Sequence, residues 1–342
     1  MPSSISSSND RLPSGPWGAT WVVALVLATV AIGGVEAFWR MHGFRPTLID
    51  DMDLWSQQRT KIPAGGDAIV LIGSSRNQAA IALDVLRREL PGRAVIQLSL
   101  SGGRPLAALR DLAEDEGFRG IVLCDLLPLC LLPESRDGQT PYVRYAHRSF
   151  NIARWVERVL KTAVQSRLVV NSTQLRPAFV FSAIHVRKLP ERAFFFIHAD
   201  RSRDMDFQGV DGKRLEAAIA QAARQTGYRV AVPPDVAGWQ ADVDVAERLV
   251  ERIQARGGKV VYLSHPSGGE VRELEESHFP RATYWDALAA RTKAAAAIRS
   301  EDVPALAGYV CPDGSHLDYR DASPYTEALI AELRARGVFP PR

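Results

Sequence analysis

Ala68-Ile-Val-Leu-Ile-Gly-Ser-Ser-Arg-Asn77 is the stretch on which the reading of this chain turns. Five apolar residues, rich in the branched types that suit a buried parallel strand, run into Gly73. Ser74 and Ser75 follow, and then a helical segment from Ala79 to Leu90, closed by Pro91-Gly92. A strand that ends in small residues and turns sharply into a helix exposes one side chain. The helix N-terminus there also offers unpaired N–H groups and a favourable dipole to an anion. Phosphate binding and a serine nucleophile both use this arrangement. A dinucleotide fingerprint needs three spaced glycines, and only Gly73 is present. A nucleophile needs a base from elsewhere in the chain.

Working outward, strands and helices alternate. Strands are read over 94–98 and 120–126, with a helix over 105–116 ended by Gly117. Strands separated by helices of this kind imply right-handed crossovers and a mostly parallel sheet, so the fold class is α/β. Ligands in such sheets sit at the carboxyl ends of the strands. Ser74, Ser75, Ser101, Gly102 and Gly103 would therefore share one rim. The rhythm breaks over about 131–235, read as a helical insertion with an amphipathic helix over 151–168. Arg187, Lys188 and Arg192 beside Phe194, Phe195 and Phe196 suit a lid or a lipid-facing surface; a solvated subdomain with its own core fits the same residues. The α/β pattern resumes with a helix over 241–256 stopped by Gly257-Gly258, a strand over 259–264, an alanine-rich helix from Thr283, and a last helix opening at Ser323-Pro324.

Before Ala68 the chain divides into three. Residues 1–16 read as a disordered tail rich in serine. Residues 17–39 read as a transmembrane helix: no charge occurs between Trp17 and Val35, with Trp17 and Trp21 at one end and Phe38 and Trp39 at the other. The apolar run is too long for a signal-peptide core. Residues 40–66 read as a polar linker with a short helix near Leu54, and the folded domain as 67–342. The net charge of +3, with scattered basic residues, gives no nucleic-acid surface. The histidines do not cluster, so no metal and no cofactor are expected. Cys124, Cys130 and Cys311 leave two options open: a Cys130–Cys311 disulfide in an oxidising compartment, or buried thiols.

The base comes just before the last helix. In Cys311-Pro-Asp-Gly-Ser-His-Leu-Asp318, Asp313 and His316 stand three residues apart in a turn. His316 can take a serine's proton through one ring nitrogen while Asp313 holds the other and fixes the tautomer. Backbone N–H groups of Ser75 and Gly102 on the same rim can form an oxyanion hole. His265, in Ser264-His-Pro-Ser-Gly-Gly269, also follows a strand and is read either as a substrate contact or as a hydrogen-bonded loop residue.

From 67 to about 337 the chain resembles the SGNH, or GDSL-type, hydrolase family. Gly73-Ser74-Ser75 matches the family's Gly-Asp-Ser block, with Ser74 where aspartate is usual, which makes Ser75 the nucleophile. Ser99-Leu-Ser-Gly102 matches the second block and makes Gly102 the oxyanion glycine. Asp313 and His316 match the last block. The resemblance implies a three-layer α/β/α sandwich. The third block's asparagine donor is missing from Cys124-Asp-Leu-Leu-Pro128. Such a loss costs on the order of 100- to 1000-fold in rate; Arg76 and Asn77 are the candidate replacements and, with His265, the candidate substrate contacts. The Gly-Ser-Ser variant and the anchor are similar to the family's envelope branch, whose members O-acetylate exported polysaccharides or assist D-alanylation beside a membrane-bound O-acyltransferase. The resemblance implies an inner-membrane, single-pass protein with an extracytoplasmic domain. Its substrate would be an acylated glycan or another small ester, and its catalytic groups Ser75, His316 and Asp313. The rival expectation is a catalytically degenerate binding or assembly subunit partnering such an acyltransferase. With reversed topology it would be a cytoplasmic lipid esterase.

Overall fold

A computed structural model describes residues 15–65, 67–127, 131, 138–185, 189–226 and 236–341. Nearly all of the expected tail, and Cys130, Arg187 and Lys188, lie outside them. In chain order the helices and strands are α1 (Trp17–Met41), α2 (Met52–Arg59), β1 (Ala68–Ile72), α3 (Ser75–Ala80), α4 (Leu83–Glu89), β2 (Ala94–Gln97), α5 (Leu106–Glu114) and β3 (Ile121–Asp125). The insertion supplies α6 (Thr140–Arg148), α7 (Ile152–Gln165), α8 (Pro177–His185), an antiparallel hairpin of β4 (Phe195–Ile197) and β5 (Arg203–Met205), and α9 (Gly212–Thr226). The chain closes with α10 (Val236–Gln254), β6 (Lys259–Ser264), α11 (Gly269–His278), α12 (Trp285–Arg291), β7 (Ala296–Arg299), α13 (Pro304–Ala307) and α14 (Tyr319–Ala335).

The main sheet runs in the order β2-β1-β3-β6-β7, with every pairing parallel. This doubly wound order opens a crevice between the carboxyl ends of β1 and β3, where the winding direction reverses. Every residue of β1 and β3 is buried, because helices cover both faces. Val70, Ile72, Val122 and Val260 pack with residues of α5 and α10; Ile69, Leu71, Leu123 and Val261 pack with residues of α4 and α14. The period of two along each strand sends alternate side chains to the two cores. Each such aliphatic side chain contributes roughly 1.5–3 kcal/mol by leaving water.

Four elements depart from the sequence reading. The single helix expected after the serines is two: α3 starts at Ser75 itself and breaks at Ile81-Ala82 before α4. The alanine-rich run expected to be helical ends as β7, where pairing of Ala296 to Arg299 with β6 overrides alanine's helix propensity. The last helix begins at Tyr319, because the Asp318 side chain accepts from the Arg320 N–H and caps it ahead of Ser323-Pro324.

The fourth is the segment expected as a linker, which is built into the domain. Leu54 and Trp55 of α2 are fully buried, and the Trp55 indole donates to Leu98 O at 2.9 Å. Phe44 and Leu48 are buried too, and Leu48 N–H donates to Ile197 O of the hairpin.

Helix α1 is long and apolar enough to cross a membrane, and its spanning window is wholly exposed. Its 25 residues extend to about 37 Å at 1.5 Å per residue, against a hydrocarbon core of about 30 Å. Its one buried residue is Glu36. The Glu36 carboxylate accepts from the N–H groups of Val169 and Val170, in the short 3-10 turn after α7, and from Arg40.

Candidate active site

The crevice at β1 and β3 is shaped by Gly73. Its φ of 121° lies in the region open to glycine, and a Cβ there would stand 2.6 Å from Asp125 O and 2.7 Å from Asp125 Cβ. The close approach lets the chain leave β1 and enter α3 within two residues. Ser74 caps α3: its Oγ accepts from the Arg76 N–H at 3.2 Å and donates to the Asp125 carboxylate, which also accepts the Ser74 N–H. Ser74 is 8% exposed and fully engaged in this turn, whereas Ser75 is half-exposed at the helix start.

Ser75 Oγ lies 2.8 Å from His316 Nε2, and His316 Nδ1 lies 2.8 Å from Asp313 Oδ2. Asp313 Oδ1 accepts the backbone N–H groups of Ser315 at 2.9 Å and His316 at 2.7 Å. A carboxylate can only accept here, so Nδ1 carries a proton and donates, which leaves Nε2 of the neutral ring to accept from the serine hydroxyl. Asp313 is fully buried. Burial pushes its carboxyl up, but the hydrogen bond and charge of His316 and the two backbone donors outweigh this and hold the pKa below the ordinary carboxylate range. The loop that delivers both groups turns at Gly314, with φ 75° and the Gly314 carbonyl accepting from the Gly268 N–H.

The Ser75 N–H is the first of α3, ahead of the helix's own hydrogen bonds. Gly102, φ 65°, sits exposed on the neighbouring rim turn. That turn is held against the Gly73–Ser74 turn by Leu100 N–H donating to Gly73 O at 2.9 Å.

The two candidate replacement donors are engaged elsewhere. Asn77 is fully buried; its amide donates to Ile72 O and Leu123 O, stapling β1 to β3, and its Oδ1 lies 3.2 Å from His265 Nε2. Arg76 turns back from α3 to the loop that carries His316, donating to Ser315 Oγ at 3.1 Å and pairing with Glu275. Its place is a brace between the elements that carry Ser75 and His316. His265, 2% exposed, is a core residue rather than a cleft residue: Nδ1 meets the Tyr325 hydroxyl at 2.9 Å, and burial drives its pKa down to about 4. Cys124 and Cys311 are both buried, and burial pushes the Cys311 thiol up to about 12.

Three residues that shape the site carry no signal in the sequence. Asp125, fully buried at the end of β3, fixes the Ser74 turn. Gln139 reaches from the insertion to donate to Gly73 O at 3.1 Å. Arg201, buried in the hairpin turn at φ 66°, donates to Gln97 O and Ser99 O at 2.8 Å each and pairs with Asp50. Each acts across more than 50 residues of sequence, beyond the reach of any local pattern.

Fold and site together define an α/β protein with a hydrogen-bonded serine–histidine–aspartate series at the carboxyl edge of a parallel sheet. No family model matches the chain, and no curated protein matches it. Among solved structures it is similar to "Crystal Structure of TesA", at 14% identity and a TM-score of 0.34, covering 79% of this chain and 99% of that one.

Proposed function

We propose that this chain is a membrane-anchored serine ester hydrolase or O-acyltransferase of the SGNH type. The observation that carries the reading is the series Ser75–His316–Asp313 in continuous hydrogen bonds of 2.8 Å. The order of the matching blocks along the sequence supports the SGNH type, and α1 supports the anchor. An extracytoplasmic domain acting on an acylated envelope glycan rests on the family resemblance stated above.

In the proposed reaction Ser75 Oγ attacks the ester carbonyl carbon as His316 Nε2 takes its proton. Asp313 stabilises the imidazolium. The oxyanion takes hydrogen bonds from the Ser75 and Gly102 N–H groups. Collapse breaks the bond to the leaving alkoxide, to which His316 returns the proton, and an acyl-Ser75 remains. Water or an acceptor hydroxyl then gives its proton to His316 and attacks the acyl carbon, and His316 passes that proton to Ser75 Oγ as the acyl–Oγ bond breaks.

The test is labelling of the full-length protein with a fluorophosphonate. The wild type labels, and Ser75→Ala and His316→Ala do not. A folded wild type that fails to label overturns the enzyme reading in favour of a binding subunit.

A further inference from the structure

Helix α7 is amphipathic in the reverse sense to a soluble protein's surface helix. The side it sets against the domain is polar. Arg158 is fully buried and donates to Thr162 Oγ1, Gln165 Oε1 and the Asp51 carboxylate at 2.9–3.1 Å. The side it turns outward is apolar: Ile152, Trp155, Val156, Val159, Leu160 and Val164, between 38% and 81% exposed. Their spacing of three and four residues makes one continuous stripe along about 21 Å of helix. Single exposed apolar side chains need no explanation, but a continuous stripe marks a surface that is covered in use.

The cover is indicated by what the helix adjoins. Four residues past Gln165, the N–H groups of Val169 and Val170 are held by Glu36 of α1. Arg40 of α1 donates to Arg167 O. Trp39 of α1 packs on the cluster of Phe44, Val169 and Leu175, and Phe181 of α8, 69% exposed, lies in the helix that follows. Glu36 is the first charge after the apolar run of α1, so it belongs at the membrane boundary. The clamp therefore brings the end of α7 to that boundary. Arg154 and Lys161, both exposed, flank the stripe and each pairs with Glu157, so the three groups leave one net positive charge beside it for anionic headgroups.

We infer that α7 lies in the membrane interface, with the Ile152–Val164 stripe among the lipid chains just below the headgroups. The inference rests on the proposal that α1 spans the bilayer. It assigns the insertion's lipid contact to α7. Phe194, Phe195 and Phe196 are occupied within the protein: Phe196 lies beneath Arg45, Phe195 packs on the Leu48–Ile197 cluster, and Phe194 packs on Phe207.

The test uses the full chain in phosphatidylcholine–phosphatidylglycerol vesicles. A polarity-sensitive fluorophore is placed at Val156→Cys, Leu160→Cys, Val26→Cys in α1, or Glu273→Cys on α11, each in a Cys130→Ser background. These side chains lie on the surface, and a circular dichroism spectrum matching the wild type's reports that each variant folds. Lipids carrying a nitroxide near the headgroup are expected to quench the probes at 156 and 160, and lipids with the nitroxide at the chain end the probe at 26. The probe at 273 escapes both. Quenching at 26 without quenching at 156 and 160 overturns the inference and leaves the anchor standing. Quenching at none of the three overturns the anchor as well. Probes at 156 and 160 that lipid nitroxides spare and aqueous iodide cannot reach overturn it in favour of a second copy of the chain.

Discussion

Asp313 carries the heaviest demand on a single side chain in the proposed mechanism, because it holds the His316 tautomer and the loop at once. Asp313→Asn keeps the size and removes the charge that the imidazolium needs. Its acyl-transfer rate is expected to fall on the order of 10⁴-fold, read as the rate of fluorophosphonate labelling, with little change in the circular dichroism spectrum. His265 gives a prediction of opposite character. Its folded pKa of about 4 lies below the ordinary value near 6.5. The native state holds the ring neutral, so its contribution to stability is complete above pH 6.5. It declines as the unfolded chain takes up a proton on the way down, and it is lost by pH 4. The decline is on the order of 3 kcal/mol, from about 1.4 kcal/mol per pKa unit. Urea unfolding at pH 7 and pH 4.5 should show a larger loss for the wild type than for His265→Gln; equal losses would mean that His265 titrates normally. Gly73→Ala brings a Cβ to within 2.7 Å of two Asp125 atoms and is expected to yield no folded, labelled protein.

At the scale of elements, what the sequence disclosed depended on whether an element is specified locally. β1 spans its apolar run, and β6 extends one residue beyond each end of Val260–Leu263, because a strand buried on both faces writes itself as a continuous run. Ser75, Asp313 and His316 were legible because each sits at a strand end or in a turn whose chemistry is local. β7 was hidden: Ala294 to Ala297 favour a helix, and only pairing with β6 makes them a strand. Residues 44–59 were hidden for another reason. Asp50 and Asp51 made the segment look solvated, yet their partners, Arg201 and Arg158, lie more than 100 residues away and are fully buried. The acids of the neck and the buried arginines of the insertion are two halves of one contact, which periodicity cannot reveal. Trp55→Ala is accordingly expected to cost about 3–5 kcal/mol in urea unfolding, as a core position would; a loss within experimental error would make the segment a linker after all.

For the whole molecule, truncation separates the anchor from the fold. A chain beginning at residue 36 keeps Phe44, Leu48, Leu54 and Trp55 and is expected to become extractable from membranes by alkaline carbonate, as a peripheral protein held by α7 would be, and still label at Ser75. One beginning at residue 63 loses all four and is expected to aggregate on expression. If the shorter chain folds and labels, the neck is dispensable.

The neck has a consequence of its own. A catalyst on a flexible tether sweeps a volume, and its effective concentration falls with the space it visits. Glu36, Asp50 and Asp51 are all fastened to the domain, which removes that freedom. With α1 in a bilayer, Ser75 is carried at a single altitude and tilt, like a stylus on a fixed arm. Under the proposed function, esters in that plane would meet it repeatedly, and chemically identical esters a nanometre higher would not. Discrimination between them needs no pocket, only the length of the arm.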